Sequence, residues 1–146
     1  MTVDLLGKIP AGAIVTVDTA PIIYFLQDHP VFAPVFAPIF EAAERGDLGI
    51  VISAITLTEV LTGPLKAGDE VSASRYREAL TRSPGWELLP VSEEVAATAA
   101  RFRAEFGLRT PDAIQIATTV VSRSHALITS DKAFKKVRGI MVLGTA

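Results

Sequence analysis

Four acidic residues lie at or just beyond the ends of short apolar runs: Asp18, Glu59, Asp112 and Asp131. Each lies either where an apolar run gives way to a helical pattern or inside the helix that follows. If the runs are neighbouring parallel strands, their carboxyl ends meet at one edge of the sheet, where ligands bind in such folds. Carboxylate oxygens are the ligands that hard divalent cations such as Mg²⁺ prefer. The spacing therefore predicts an acidic, metal-binding site at that edge.

Asp18 and Glu59 each have a simpler, structural explanation. Asp18 follows the apolar run of residues 13–17, and aspartate is also a favoured N-cap for a helix such as the one predicted after it. Glu59 lies about two turns into a helix if Ser53 is the N-cap, whereas with Thr56 as the N-cap it would complete a capping box. The apolar residues around Glu59 favour a largely buried helix, in which a carboxylate needs a partner.

Asp112 and Asp131 also fit the starts of helices. Asp112 follows Thr110 and Pro111, which are predicted as an N-cap and a first helical residue, and an acid in the first turn gains about 0.3–1 kcal/mol from the helix dipole. Asp131 could cap a short turn that begins at Lys132. Singly, neither acid establishes a site, and because aspartate is common at helix starts, the bare pattern of acids at strand-to-helix junctions is only moderately specific.

Length and composition restrict the fold and the kind of metal site. The chain has 146 residues, 49% of them hydrophobic, which is enough for one ordinary core, so we predict a single domain over 1–146. Because there is no cysteine and the two histidines are far apart, a metal must be held mostly by oxygen. The formal net charge of −2 argues against broad attraction to nucleic acid, although a local basic patch could bind a phosphate backbone.

The beginning of the sequence does not resemble a targeting segment. Residues 1–12 are predicted as an N-terminal extension ahead of the first strand, and they lack an apolar region of signal-peptide length. No apolar stretch approaches the ~18 residues of a membrane span. We therefore expect a soluble, cytoplasmic protein that has no membrane partner.

The elements that must position the acids follow from the apolar pattern. Short and mostly continuous apolar runs, which are typical of strands covered on both faces, occur over residues 13–17, 48–52, 88–89, 126–129 and 140–143. Helical patterns alternate with them over 19–27, 34–45, 54–61, 70–82, 93–106 and 111–123, followed by a short turn from 132. This alternation predicts a three-layer α/β/α domain with a central parallel sheet of about five strands.

The sequence segments around the four acids resemble those of one known family. The segments are VDT at 17–19, SAITLTEV at 53–60, TPDAIQIA at 110–117 and LITSDKAF at 127–134. In this order they resemble the PIN-domain family, in particular the VapC-type toxins of bacterial and archaeal toxin–antitoxin pairs, over about residues 15–142. The chain departs from many relatives at Thr129-Ser130, where those relatives have Thr-Asn.

This resemblance implies a PIN-like α/β/α fold and an endoribonuclease activity that depends on Mg²⁺ or Mn²⁺. By position, the family's acidic site corresponds to Asp18, Glu59, Asp112 and Asp131, as metal-binding and catalytic residues. We predict that Asp18 and Asp112 bind the metal directly, while Glu59 and Asp131 shape the site or activate water. The resemblance also implies an RNA substrate, a VapB-like antitoxin whose tail covers the acidic edge, and a homodimer.

Polar and basic residues beside the acids are further candidates. We predict that Thr129 and Ser130 orient metal ligands or a bridging water; ordinary capping and turn hydrogen bonds are the alternative. The predicted RNA contacts are Arg109, Lys132, Lys135 and Lys136. The three lysines are predicted to share one helical face through their i, i+3 and i+4 spacing. A solvated surface position is the alternative for each of these cations.

Two other functions remain open from the sequence. One is a PIN-like module that binds RNA or a protein partner without cutting. The other is a phosphotransfer receiver-like domain, for which Asp18, Thr129 and Lys132 give limited support. A receiver domain requires a second acid beside Asp18, which this sequence lacks. It would also leave Glu59 and Asp112 without a role.

Overall fold

The computed structural model describes residues 4–145 and contains a five-stranded sheet. The strands are β1 (Ile14–Val17), β2 (Gly49–Ser53), β3 (Trp86–Leu89), β4 (Ala126–Ile128) and β5 (Val142–Leu143). Their order is β3-β2-β1-β4-β5, and every neighbouring pair is parallel. Strands β2 and β3 lie on one side of β1, and the later strands β4 and β5 lie on its other side. The strand order therefore reverses between β1 and β4. Such a reversal opens a crevice at the carboxyl ends of those two strands.

Helices cover both faces of the sheet, as the alternating pattern predicted. They are α1 (Thr19–Leu26), α2 (Ala33–Glu44), α3 (Ala54–Lys66), α4 (Glu70–Arg82), α5 (Glu93–Phe106) and α6 (Thr110–Val121). Two short 3₁₀ helices lie over Leu6–Lys8 and Lys132–Lys136, and we call the second one the lysine turn. The predicted three-layer α/β/α fold is therefore confirmed.

The strands read as continuous apolar runs because each face of the sheet packs against its own apolar cluster. One cluster joins Val15, Ile50 and Ile128 to residues of α1, α2 and α4. The other joins Leu127 to residues of α5 and α6. Successive side chains of a strand point to opposite faces, which is why Leu127 and Ile128 belong to different clusters. The central strands are thus held rigidly from both sides, and so are the residues that follow them.

Several element boundaries differ from those predicted. The third strand begins at Trp86 rather than at residue 88, and the fifth begins at Val142 rather than at 140. The predicted end of α3 at residue 61 is wrong, because the helix continues through Gly63 and Pro64 to Lys66. Proline removes one backbone donor and usually ends a helix. Here the continued helix packs against α4, which outweighs the lost hydrogen bond.

The described part of the N-terminal extension is integrated into the fold. The side chain of Leu5 is 1% exposed and that of Ile9 is also buried, both within the cluster on the α1 face. The Gly12 backbone N–H donates to the Asp47 carbonyl over 2.7 Å. Residues 1–3 of the extension lie outside the described residues. Within residues 4–145, no helix is long and apolar enough to cross a membrane.

Candidate active site

Asp18 lies directly after β1, at the crevice between β1 and β4. Its backbone N–H donates to the Ile128 carbonyl over 2.9 Å, which joins the ends of the two strands. Its Oδ1 accepts the Thr19 backbone N–H over 2.8 Å, so Asp18 is also the N-cap of α1. The residue is 9% exposed. Capping and a position in the crevice are therefore combined in one side chain rather than being alternatives.

Thr129 holds the other oxygen of the same carboxylate. Its hydroxyl donates to Oδ2 of Asp18 over 2.7 Å and accepts the Asp131 backbone N–H over 3.0 Å. Thr129 is fully buried, and its own N–H donates to the Leu143 carbonyl of β5. Ser130 is partly buried and makes no side-chain hydrogen bond within residues 4–145. Of the two predicted orienting residues, Thr129 is the one that contacts an acid.

The Asp18 carboxyl group has a strongly shifted pKa. Burial is the largest cause and raises its pKa from 3.8 to about 6. Hydrogen bonds from Thr129 and from the Thr19 backbone oppose this shift, while the negative charges of Asp112 and Glu59 add to it. Two of the other predicted acids, Asp112 and Glu59, therefore act electrostatically on Asp18. A cation placed among them would be favourable.

Glu59 projects from the second turn of α3. Ser53 is the N-cap of this helix, and its Oγ accepts the Ile55 backbone N–H over 3.2 Å. Thr56 is therefore inside the helix, and the capping-box interpretation of Glu59 is wrong. The helix is also less buried than predicted, and Glu59 itself is exposed. Its Oε1 accepts a hydrogen bond from the Thr19 hydroxyl over 3.0 Å.

Asp112 lies in the first turn of α6 and is partly buried. The predicted N-cap, Thr110, is instead the first helical residue, because the extended backbone ends at Arg109. Arg109 makes no side-chain capping bond; its Nε lies 3.5 Å from Oδ2 of Asp112, and its side chain is 81% exposed. The predicted phosphate contact is therefore a solvent-facing cation that is paired with an acid of the site.

Asp131 is separated from the other acids by Thr129. Its side chain is exposed, and its Oδ1 accepts the Ala133 backbone N–H over 2.8 Å. Asp131 is thereby the N-cap of the lysine turn, as its structural interpretation predicted. It does not contribute to the raised pKa of Asp18. The structure places it at the rim of the crevice rather than with Asp18, Glu59 and Asp112.

The basic residues of the lysine turn are all exposed. Because this segment is a 3₁₀ helix with about three residues per turn, side chains three apart align, whereas those four apart do not. Lys132 and Lys135 are therefore on one face, and Lys136 points about a third of a turn away. The prediction that all three lysines share one face is wrong.

The donor atoms at this edge suit a hard divalent cation. They are carboxylate and hydroxyl oxygens, which Mg²⁺ and Mn²⁺ accept as ligands. Within residues 4–145, no three acidic or histidine side chains converge closely enough to form a complete metal site. Mg²⁺ keeps several water ligands and takes only one or two carboxylates directly, so complete convergence is not required. The residues present therefore fit a partly hydrated ion.

Two residues beside the acids were missed in the sequence. Thr56 and Gln115 are 0% and 1% exposed, and the Gln115 Nε2 donates to the Thr56 Oγ1 over 2.8 Å. The Thr56 Oγ1 lies 3.1 Å from the Thr19 Oγ1. A signal was present, since helical periodicity turns both polar residues toward the interior of otherwise apolar helix faces.

A parallel α/β/α sheet whose strand order reverses beside a buried acid, Asp18, belongs to the class of α/β folds that bind ligands at the carboxyl ends of the strands. The model of the PIN domain family matches residues 15–140 of this sequence. The chain therefore belongs to the PIN domain family, and the predicted family is confirmed. No match was found among curated proteins.

Solved structures of toxin–antitoxin complexes share this fold. VapBC2 from Rickettsia felis, bound to a DNA fragment from its promoter, has a TM-score of 0.71 at 19% identity, covering 88% of this chain and 96% of the other. A toxin–antitoxin complex from Klebsiella pneumoniae has a TM-score of 0.67 at 27% identity, with coverages of 87% and 95%. Mycobacterium tuberculosis VapC20, a toxin that cleaves the sarcin-ricin loop, has a TM-score of 0.67 at 13% identity, with coverages of 83% and 92%.

Proposed function

We propose that this protein is an endoribonuclease of the VapC type that depends on Mg²⁺ or Mn²⁺ and is the toxin of a toxin–antitoxin pair. The observation that carries this proposal is the grouping of buried Asp18 with Glu59 and Asp112 at the carboxyl edge of a PIN fold. Groups whose pKa is shifted by burial and by neighbouring charges cluster at functional sites. VapC20, which shares the fold, is a toxin that cleaves the sarcin-ricin loop.

Asp18 and Asp112 are the proposed direct ligands. Both Asp18 oxygens already accept one hydrogen bond, which fixes the carboxylate plane, and each oxygen can accept a second partner. A bound divalent cation would supply positive charge to the phosphodiester and lower the pKa of a coordinated water. Burial of Asp18 in a low-dielectric position makes its attraction for such an ion stronger than that of an exposed acid.

Glu59 and Asp131 have proposed roles at the periphery. The exposed Glu59 carboxylate, which accepts a hydrogen bond from Thr19 on one oxygen, would use its other oxygen to orient a water. Asp131 helps to shape the crevice, because its backbone N–H bonds to the Thr129 hydroxyl that holds Asp18. RNA would be drawn to this edge by the lysine turn and by Arg109.

The proposed partners come from the structural neighbours. Those neighbours are toxin–antitoxin complexes, which supports a VapB-like antitoxin that binds this chain. We further propose a homodimer, which light scattering coupled to gel filtration would test on the purified protein. Because the proposed substrate is cellular RNA, we place the protein in the cytoplasm.

The test is incubation of purified, partner-free protein with total RNA and Mg²⁺ or Mn²⁺, followed by mapping of the cut ends. We expect discrete cuts that EDTA and Asp18→Asn abolish. Asp47→Asn is a charge-matched control, because Asp47 precedes β2 and lies at the opposite edge of the sheet. Discrete cuts that persist in a folded Asp18→Asn protein would overturn the assignment. Absence of cuts by a folded protein that binds the metal would favour the non-catalytic binding module.

A further inference from the structure

Four side chains from three helices form a continuous chain of hydrogen bonds beside the acidic site. Gln115 of α6 contacts Thr56 of α3 with Nε2 to Oγ1 at 2.8 Å. Thr56 contacts Thr19 of α1 with their Oγ1 atoms 3.1 Å apart, and the Thr19 Oγ1 lies 3.0 Å from Oε1 of Glu59. The chain thus runs from the buried core to an exposed carboxylate.

The number of protons available gives this chain a single direction. An ionised carboxylate can only accept hydrogen bonds, so the single hydroxyl hydrogen of Thr19 is used in the hydrogen bond to Glu59. Thr19 can then only accept from its other neighbours, which are the Thr56 hydroxyl at 3.1 Å and, at 3.5 Å, the Nε2 of Gln115 itself. Thr56 in turn must accept, and the amide N–H of Gln115 is the donor that contacts it. A hydrogen-bond donor at the position of Gln115 Nε2 allows both threonine hydroxyls to donate toward Glu59.

The same order explains an unpaired atom in the core. The carbonyl Oε1 of Gln115 is buried and has no hydrogen-bond partner within residues 4–145. Leaving such a group unpaired costs about 1–3 kcal/mol. Rotating the amide by half a turn would pair this oxygen only by taking the proton that Thr56 donates to Thr19. The orientation of the amide is therefore the one that keeps the bond to Glu59.

We propose that Gln115, acting through Thr56 and through its own longer contact with Thr19, is a positioning residue that keeps the Thr19 hydroxyl directed at Glu59 and so fixes the Glu59 carboxylate at the acidic site. Gln115 follows Asp112 by three residues on α6, so one helix supplies an acid and supports another. For the role of Glu59 at the metal, the inference rests on the proposed function. The order of the Glu59 side chain can be measured without metal.

The first experiment measures the order of the Glu59 side chain in the metal-free protein by ¹³C relaxation of its methylene groups. Gln115→Met removes the amide while nearly preserving volume, and Thr56→Val removes the hydroxyl. Thr118→Val is the matched control, because its buried hydroxyl bonds only within α6, to the Ile114 carbonyl at 2.7 Å. We expect Glu59 to become mobile in the first two variants and to stay ordered in the control. Unchanged order in folded Gln115→Met would overturn the proposal.

The second experiment measures Mn²⁺ affinity by titration in a double-mutant cycle with Glu59→Gln. Glu59 would act on the metal through a bound water, and loss of such an outer-shell partner typically weakens metal binding by about tenfold or more. We expect Gln115→Met to weaken Mn²⁺ binding by about tenfold when Glu59 is present and by less than about twofold in Glu59→Gln. Equal losses in both backgrounds would show a merely structural role.

The two experiments separate this inference from the proposed function. If Glu59→Gln itself leaves Mn²⁺ affinity unchanged, the proposed role of Glu59 at the metal is wrong. In that case the relaxation comparison decides whether Gln115 positions the carboxylate. If Mn²⁺ binding and RNA cleavage are present but Glu59 is equally mobile in the parent and in Gln115→Met, the nuclease stands and the positioning role fails.

Discussion

At the scale of single residues, the central feature is that Asp18 is kept in a place that disfavours its charge. Its pKa is raised from 3.8 to about 6, so the neutral form is the one that folding favours. Its contribution to stability is therefore largest below about pH 4, where the carboxyl is protonated in the folded and unfolded states. It declines between about pH 4 and 6, and the loss approaches about 3 kcal/mol above that range.

Asp18→Asn removes this titration, which gives the first prediction. In EDTA, we expect the variant to be more stable than the parent near pH 7.5 by about 1–3 kcal/mol, with little difference near pH 4. Urea unfolding at several pH values measures this. Asp47→Asn, an exposed acid, should follow the parent. If the stabilities of Asp18→Asn and the parent fell in parallel between about pH 4 and 6, burial would not be the cause.

Metal binding should reverse the penalty at the same residue. Because a carboxylate must be ionised to bind Mg²⁺, we expect Mg²⁺ to raise the melting temperature clearly near pH 7.5 and much less near pH 5. The rise should disappear in the double variant Asp18→Asn with Asp112→Asn. Differential scanning fluorimetry with and without MgCl₂ measures the shift. A rise of the same size in the double variant would place the metal elsewhere.

The residue scale also shows which contacts a sequence reveals. Asp18 and Asp131 were found because each follows a recognisable apolar run, whereas Glu59 lies inside the helix after such a run and Asp112 opens a helix. The bonds that orient them were harder to find, because Thr19 and Glu59 are separated by 40 residues and Thr129 and Asp18 by 111. Nothing local in the sequence pairs such residues. Their pairing follows from the strand order, which periodicity alone does not determine.

At the scale of elements, buried strands were predicted well and helix ends less well. Continuous apolar runs identify strands that are covered on both faces, and all five strands overlap the predicted ones. The predicted end of α3 at residue 61 is overridden by tertiary packing, since the helix continues through Gly63 and Pro64. The lysine turn was wrongly given α-helical periodicity, because a five-residue segment is too short to show whether its period is 3.0 or 3.6.

The turn after β5 gives a prediction at this scale. Gly144 has a φ of +103°, and a Cβ there would overlap the Thr129 carbonyl oxygen and lie 3.1 Å from Cε1 of Phe36. We expect Gly144→Ala to destabilise the fold by about 2–4 kcal/mol, through backbone strain and the displacement of Thr129. It should also weaken Mn²⁺ binding, because Thr129 holds the Asp18 carboxylate.

Gly139→Ala is the control for this prediction. Gly139 has a similar φ of +93°, but nothing lies within 4 Å of an added Cβ. It should show only the backbone strain, about 1–2 kcal/mol by urea unfolding, with unchanged Mn²⁺ affinity. Equal effects of the two substitutions on stability and on metal affinity would show that the contact with Thr129 is unimportant.

At the scale of the whole molecule, the net charge determines whether the proposed RNA substrate is attracted by the protein as a whole or only by local cations. With a formal net charge of −2, the protein has no overall attraction for a polyanion, so binding must come from a few local cations. Lys132 and Lys135 are exposed, share one face of the lysine turn and follow the acid at the rim of the crevice. This grouping is visible only when the turn and the sheet edge are considered together.

Removing both cations should therefore weaken RNA binding rather than chemistry. We expect Lys132→Ala with Lys135→Ala to raise KM several-fold, to leave kcat nearly unchanged, and to reduce the slope of log affinity against log salt by about 1–2. Cleavage kinetics of a mapped RNA at several salt concentrations measure all three quantities. The charge-matched control is Lys8→Ala with Lys66→Ala, since Lys8 precedes β1 and Lys66 ends α3, away from the carboxyl edge. An equal effect in that control would mean that RNA senses only total charge, which the net charge of −2 argues against.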